Sequence, residues 1–225
     1  MAAPTVSGAV WDNRRMTPQS RFASAAVICV AVILGLGAAL LWRHLGTPID
    51  LATGSYLSPR RALPNFSLID QRGHSFGPAD LRGRWSFLYF GYTNCPDACP
   101  TTLTTLAAME KRLRAGGTAS LPRVVFVSVD AKRDTPAQLA KYVPYFDPDF
   151  VGVTAADQPA IEDLARKLGV AVFLSSPNSD GSYTVDHSGE IFVVDPEGKL
   201  TAILNGPFTA AALQSDYQRL VALGA

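Results

Sequence analysis

Two cysteines four residues apart, Cys95 and Cys99 in the run GYTNCPDACP, carry the clearest chemical signal in this sequence. They fall between an aromatic run, WSFLYFGY from Trp85 to Tyr92, and a stretch from Pro100 to about Arg114 with Leu103, Leu106, Met109 and Leu113 at helical spacing. Both thiols are therefore expected at a loop and a helix N-terminus, where the partial positive charge favours thiolate over thiol and improves each sulfur as ligand and nucleophile. Prolines on both sides restrict the loop, and Pro100 suits a first helical turn that needs no N–H from it. A structural disulfide is the plainer reading of two cysteines in an oxidising compartment. It explains little here, because closing so short a loop removes little chain entropy.

Two thiolates alone could exchange disulfides or begin a soft-metal site, and the three histidines bear on the choice. His44, beside an apolar N-terminal run, and His74, in an expected hairpin, read as surface residues. His187, in YTVDHSG, stands at the entry to a late hairpin. In a sheet of the order described below, that loop lies beside the strand end bearing the cysteines, so His187 is predicted to approach them. Asp186 or a backbone carbonyl could orient its ring. Two thiolates and one imidazole suit Cu(I) and, with an added oxygen, Cu(II); structural zinc would want four protein ligands. The expected cofactor is one copper ion held by Cys95, Cys99 and His187. The third cysteine, Cys29, sits in an apolar run and reads as a small hydrophobe.

The elements that must position these groups follow an α/β rhythm. Phe66 to Ile69, the turn Asp70 to Gly73 and His74 to Phe76 make an opening hairpin. Trp85 to Tyr92 reads as a central strand buried on both faces, and Arg123 to Asp130 (RVVFVSVD) as its parallel neighbour across the helix. Thr135-Pro136 opens a second helix through about Tyr145, and Gln158 to Leu168 forms a third, closed by Gly169. Ser175 to Ser182 reads as a loop. Glu190 to Asp195, the turn Pro196-Glu197-Gly198 and Lys199 to Leu204 form a hairpin before a final helix from about Thr209 to Leu223. A β-α-β half followed by a β-β-α half predicts a thioredoxin-like fold with an N-terminal hairpin extension.

The remaining sequence bears on place and partners. The run from Ala23 to Trp42 holds no charge and matches the roughly 20 residues a helix needs to span a bilayer. A cleaved signal core, usually about 7 to 15 apolar residues, is the alternative, and the longer run favours an uncleaved anchor. Arg14, Arg15 and Arg21 before the span, against Arg43 close behind it, put the N-terminus in the cytoplasm. The expected organisation is a cytoplasmic segment at 1–22, an anchor at 23–42, a Gly/Pro/Ser/Thr-rich linker at 43–63 and one domain at 64–225. The place expected is a single pass of an inner membrane, with the domain in a periplasm or mitochondrial intermembrane space. With 20 Lys and Arg against 19 Asp and Glu, and the arginines scattered, nothing favours a nucleic-acid partner.

GYTNCPDACP, SVDAKRDTP and VDHSGEIFVVDPEG, in that order, together resemble the Sco/SenC family of copper proteins of cytochrome c oxidase assembly. The resemblance covers about Phe66 to Leu223 and the anchor. It implies a thioredoxin-like domain that binds Cu(I) or Cu(II) through Cys95, Cys99 and His187. It implies a role in maturing the dinuclear copper site of oxidase subunit II, with that subunit and other copper carriers as partners. Copper delivery, reduction of that site's cysteines, or both, fit the resemblance. Ala131 departs from the family, which usually has Pro after the Asp of SVD. Asp130, Arg133 and Asp134 read first as structural, with Asp134 a helix N-cap before Thr135-Pro136, and second as a surface for docking a partner. The rival class is a thiol-disulfide oxidoreductase using Cys95 and Cys99, with His187 tuning their acidity; the usual CxxC spacing is missing. A peroxidase is disfavoured because no Pro-x-x-x-Thr-x-x-Cys surrounds Cys95, and a purely structural anchored domain is the weakest reading.

Overall fold

Alternating runs of β-branched and aromatic residues with amphipathic stretches produce a layered α/β domain, seen here in a computed structural model that describes residues 30–38, 49–179 and 182–224. Its strands are β1 (Gly54–Ala62), β2 (Leu68–Asp70), β3 (Ser75–Phe76), β4 (Ser86–Gly91), β5 (Arg123–Ser128), β6 (Val151–Thr154), β7 (Val172–Leu174), β8 (Val185–His187), β9 (Ile191–Val194) and β10 (Lys199–Leu204). Its helices are α1 (Ala98–Ala115), α2 (Pro136–Tyr142), α3 (Gln158–Leu168) and α4 (Ala210–Gly224). One eight-stranded sheet runs β1-β10-β9-β4-β5-β6-β2-β3. Strands β4, β5 and β6 are parallel neighbours, as their helical crossovers require, whereas the flanking pairs are antiparallel. The aromatic run forms the centre of this sheet, and all six residues of β4 are buried. The opening hairpin forms as expected and joins the sheet through β6.

Three expectations change. The linker placed at 43–63 does not extend through that stretch: Gly54–Ala62 is the edge strand β1, paired with β10, and Leu51 is buried. Its sequence hides a strand because it lies at an edge, where Pro59 and charged Arg60 and Arg61 are tolerated and a register shift between Tyr56 and Arg61 breaks the alternation. The second helix ends at Tyr142, and its expected last turn is a 3-10 turn, Val143–Tyr145, with Pro144 inside it. The late hairpin forms as expected, but the segment entering it, which holds His187, is itself a strand. That residue ends β8, which pairs only with β7 in a separate two-stranded ribbon.

The chain divides into two units, 1–48 and 49–225. Of the first, residues 30–38 are helical, with Val30, Val32, Ile33, Leu34 and Leu36 exposed. Among the described residues no helix is long and apolar enough to cross a membrane. The rest of the span expected at 23–42 lies outside the described residues, as do Cys29 and His44.

One buried charge makes the domain's stability depend on pH. Glu110 of α1, with a side chain 2% exposed, accepts a hydrogen bond from Arg114 at 3.0 Å. Burial, and then the neighbouring charge of Asp147, push its carboxyl from 4.5 up to about 7. The unfolded chain therefore ionises this group first as pH rises, and its stabilising effect is lost between about pH 4.5 and 7, by at most about 3 kcal/mol. Glu110→Gln should be closest to wild type at pH 5 and gain stability relative to it at pH 8, measured by denaturant unfolding. A difference that stays constant with pH would refute this assignment.

Candidate metal centre

The cysteines sit where the central strand hands over to the first helix. After Gly91 the chain turns through Tyr92, Thr93 and Asn94 to Cys95, and α1 begins at Ala98, slightly earlier than expected, so Cys99 lies in its first turn. Gly91 leaves room for this approach: a Cβ there would stand 2.9 Å from Cys99 Sγ and 2.7 Å from the Phe126 ring. The loop is tied from the side by Asp134, whose buried carboxylate accepts from the Thr93 N–H at 2.9 Å and hydroxyl at 2.6 Å and from the Ser128 hydroxyl at 2.7 Å. Asp134 is thus not the N-cap of α2. Thr135 fills that place and accepts from the Gln138 N–H. Ala131 has a use that Pro could not serve: its N–H donates to Gln158 Oε1 at 3.1 Å, while Gln158 Nε2 donates to the Val129 carbonyl.

His187 comes from the ribbon. Its Nδ1 lies 2.8 Å from the Ser188 carbonyl, which can only accept, so Nδ1 donates there and Nε2 is the ring atom left to face a metal. Nε2 points at Cys99 Sγ, 3.3 Å away. Of the two orienting groups the sequence offered, the carbonyl is used, and Asp186 is exposed. The rings of Tyr89 and Tyr92 meet the imidazole edge-on at 6.3 and 6.0 Å. These two tyrosines were hidden in the sequence within an aromatic run that reads only as core. His74 is exposed and pairs with Asp70 on the opening hairpin, away from the cysteines.

Cys95 and Cys99 are both free thiols, the first half-buried and the second buried. The helix N-terminus was expected to favour thiolate at both. At Cys99 burial outweighs it and pushes the thiol up to about 12. A bound cation opposes that penalty directly, since a coordinating thiol is deprotonated by the metal. Among the described residues, Cys95, Cys99 and His187 form the one group of metal-ligating side chains that converges, with Sγ, Sγ and Nε2 all within 4.8 Å of one another. Bonds of about 2.0–2.3 Å to nitrogen and sulfur span close to that distance, so one ion reaches all three after small shifts. The donor set is soft and short of the four protein ligands of structural zinc. An open mouth of about 420 Å³, lined by Tyr89, Tyr92, Cys95, Pro96 and His187 among others, gives access.

A thioredoxin-like sheet with two thiols at the N-terminus of its first helix and an imidazole facing them defines a class of soft-metal or thiol proteins. Comparison narrows it. The SCO1/SenC family model matches residues 55–222, and the chain belongs to that family. A SCO2-like protein of Rickettsia conorii is 35% identical over 177 residues, 77% of this chain and 85% of the relative. Among solved structures, Arabidopsis thaliana ScoI with copper bound is 32% identical at a TM-score of 0.65, covering 70% of this chain and 96% of that one. Yeast Sco1 with copper bound is 29% identical at 0.66, covering 72% and 88%.

Proposed function

We propose that this protein binds one copper ion through Cys95, Cys99 and His187 and passes it on during assembly of the dinuclear copper site of cytochrome c oxidase subunit II. The observation that carries the reading is the convergence of two sulfurs and an imidazole nitrogen within 4.8 Å from parts of the chain 88 residues apart. Copper-bound relatives of the same fold support the choice of metal. The uncharged run at 23–42 and the arginines before it support an anchor in an inner membrane, with the domain on the periplasmic or intermembrane-space side. In this reading copper is cargo. The residues hold the ion in a soft pocket at an open mouth, and subunit II and other copper carriers exchange it there.

A second reading, reduction of the target's own cysteines by Cys95 and Cys99, draws on the closeness of two free thiols. His187→Ala separates the two. As a ligand, His187 is expected to matter strongly for Cu(II) and less for Cu(I), which two thiolates still suit, while disulfide formation survives. Copper titration and the pH dependence of thiol alkylation, on one preparation, make the test. Unchanged Cu(II) affinity and spectrum with markedly slowed alkylation would move the protein to the redox class.

A further inference from the structure

The segment Asp130 to Asp134 lies within the second sequence motif and belongs to no metal-ligand group, yet it reaches both halves of the site. Asp134 holds Thr93, two residues before Cys95. Arg133 reaches the other half. Its guanidinium lies 3.7 Å from the centroid of the Tyr183 ring, four residues before His187, and 5.6 Å from that of Tyr92. Its Nη1 donates to the Tyr183 carbonyl at 2.9 Å, and its Nε to the fully buried Asp130 carboxylate. The Tyr183 hydroxyl donates to the same carboxylate at 2.8 Å. Carboxylate, guanidinium and phenol thus close a ring around the base of the ribbon.

The ribbon needs such a hold. It has two strands of three residues each, no ladder to the main sheet, and Phe173 and Leu174 exposed on β7. An isolated two-stranded hairpin is marginally stable in water. Within β8 only Val185 is buried, while Asp186 is exposed and His187 half-buried, so a single core side chain is the strand's own anchor, and β8 ends in His187. We infer that Arg133, clamped by Asp130 and stacked on Tyr183, is a positioning residue that sets His187 Nε2 against the cysteine pair. The inference rests on His187 being a copper ligand, but its structural half does not. Lysine cannot replace it, because an ammonium lacks the planar fork that stacks on Tyr183 while bonding a carboxylate and a carbonyl together.

The test uses Arg133→Lys in the full chain, which keeps a cation beside buried Asp130, and Tyr183→Ala, which leaves the Arg133–Asp130 pair intact should the first variant fold poorly. In the copper-free protein, amide exchange in β7 and β8 should speed up by about tenfold or more, the loss of one charged hydrogen bond and its stacking, while β4 and β5 keep wild-type protection. Loaded with copper, both variants should lose Cu(II) affinity by about tenfold and Cu(I) affinity much less, and Tyr183→Phe, which keeps the stack, should fall between. Wild-type exchange in β7 and β8 overturns the proposal whatever copper does. Faster exchange with wild-type Cu(II) affinity, where His187→Ala has lost it, also overturns it, because the ring then finds its place unaided. If His187→Ala itself keeps Cu(II), the ligand reading has failed, and the exchange measurement still decides whether Arg133 holds the ribbon.

Discussion

Tight copper binding is expected to disappear when either Cys95 or Cys99 is replaced by serine. A hydroxyl is a hard, weakly acidic donor and a poor substitute for thiolate toward Cu(I). In the proposed site each substitution removes a direct ligand, so the fall in affinity should exceed the roughly 10–100-fold that follows from altering groups behind a ligand. The two variants should differ in stability. Cys95 is half-buried and tolerates a hydroxyl near water, whereas Cys99 is buried against Gly91 and Phe126, where a hydroxyl needs a partner. Competition against a chelator of known affinity, with unfolding curves for both apo-proteins, checks each half. Near-stoichiometric copper in both single variants would eliminate the site.

The second large effect concerns where the domain starts. A chain beginning at Ile49 should fold much as the full domain does, but one beginning at Pro64 should lose at least about 10 °C in Tm or its cooperative transition. The reason lies in α4. Asp216 is fully buried and accepts from the Ala52 N–H at 2.6 Å, the Thr53 N–H at 2.9 Å and the Thr53 hydroxyl at 2.6 Å. Without residues 49–63 that carboxylate loses all three donors, at about 3 kcal/mol or more against a total of about 5–15 kcal/mol. Asp195 loses Arg60, which bonds it at 2.7 Å, and β10 becomes a bare edge. Equal melting of the two chains would show that β1 is an ornament of the sheet.

The parts of the fold legible in the sequence were those with one strong period. Trp85 to Tyr92, the helix with Leu103, Leu106 and Met109, and the Asp195 to Lys199 turn formed where their patterns put them. So did the left-handed C-cap at Gly169, with φ +81°. The approach of His187 to the cysteines was also legible, because parallel β-α-β order brings a late loop back to the first strand's end. Elements held by long-range partners stayed hidden. β1 depends on β10, and Ala52 and Thr53 just before it depend on Asp216, more than 160 residues away in sequence, while the strand's own residues carry no alternation. Asp134 looked like a cap because Thr135-Pro136 follows it; only the fold shows that Thr93 and Ser128 surround it. Whether Cys99 favours thiolate could not be read from its neighbours in the chain, since the helix-end effect is local and the burial that overrides it is global.

The placement of the imidazole on a ribbon outside the main sheet suggests an order of departure for copper in the proposed site. In the proposed site three tethers of unequal depth would hold it: His187 on the two-stranded ribbon, Cys95 on a half-exposed loop and Cys99 buried in the first turn of α1. The ribbon shares no ladder with the eight-stranded sheet and is held at its base by Arg133, so in the proposed site an arriving thiolate would be expected to trade first with the imidazole. It next meets the sulfur facing the mouth, and Cys99 lets go last. Such stepwise substitution would keep the ion bonded to sulfur throughout, without release to water. Transfer by this route quickens with the concentration of the acceptor and does not wait on spontaneous dissociation.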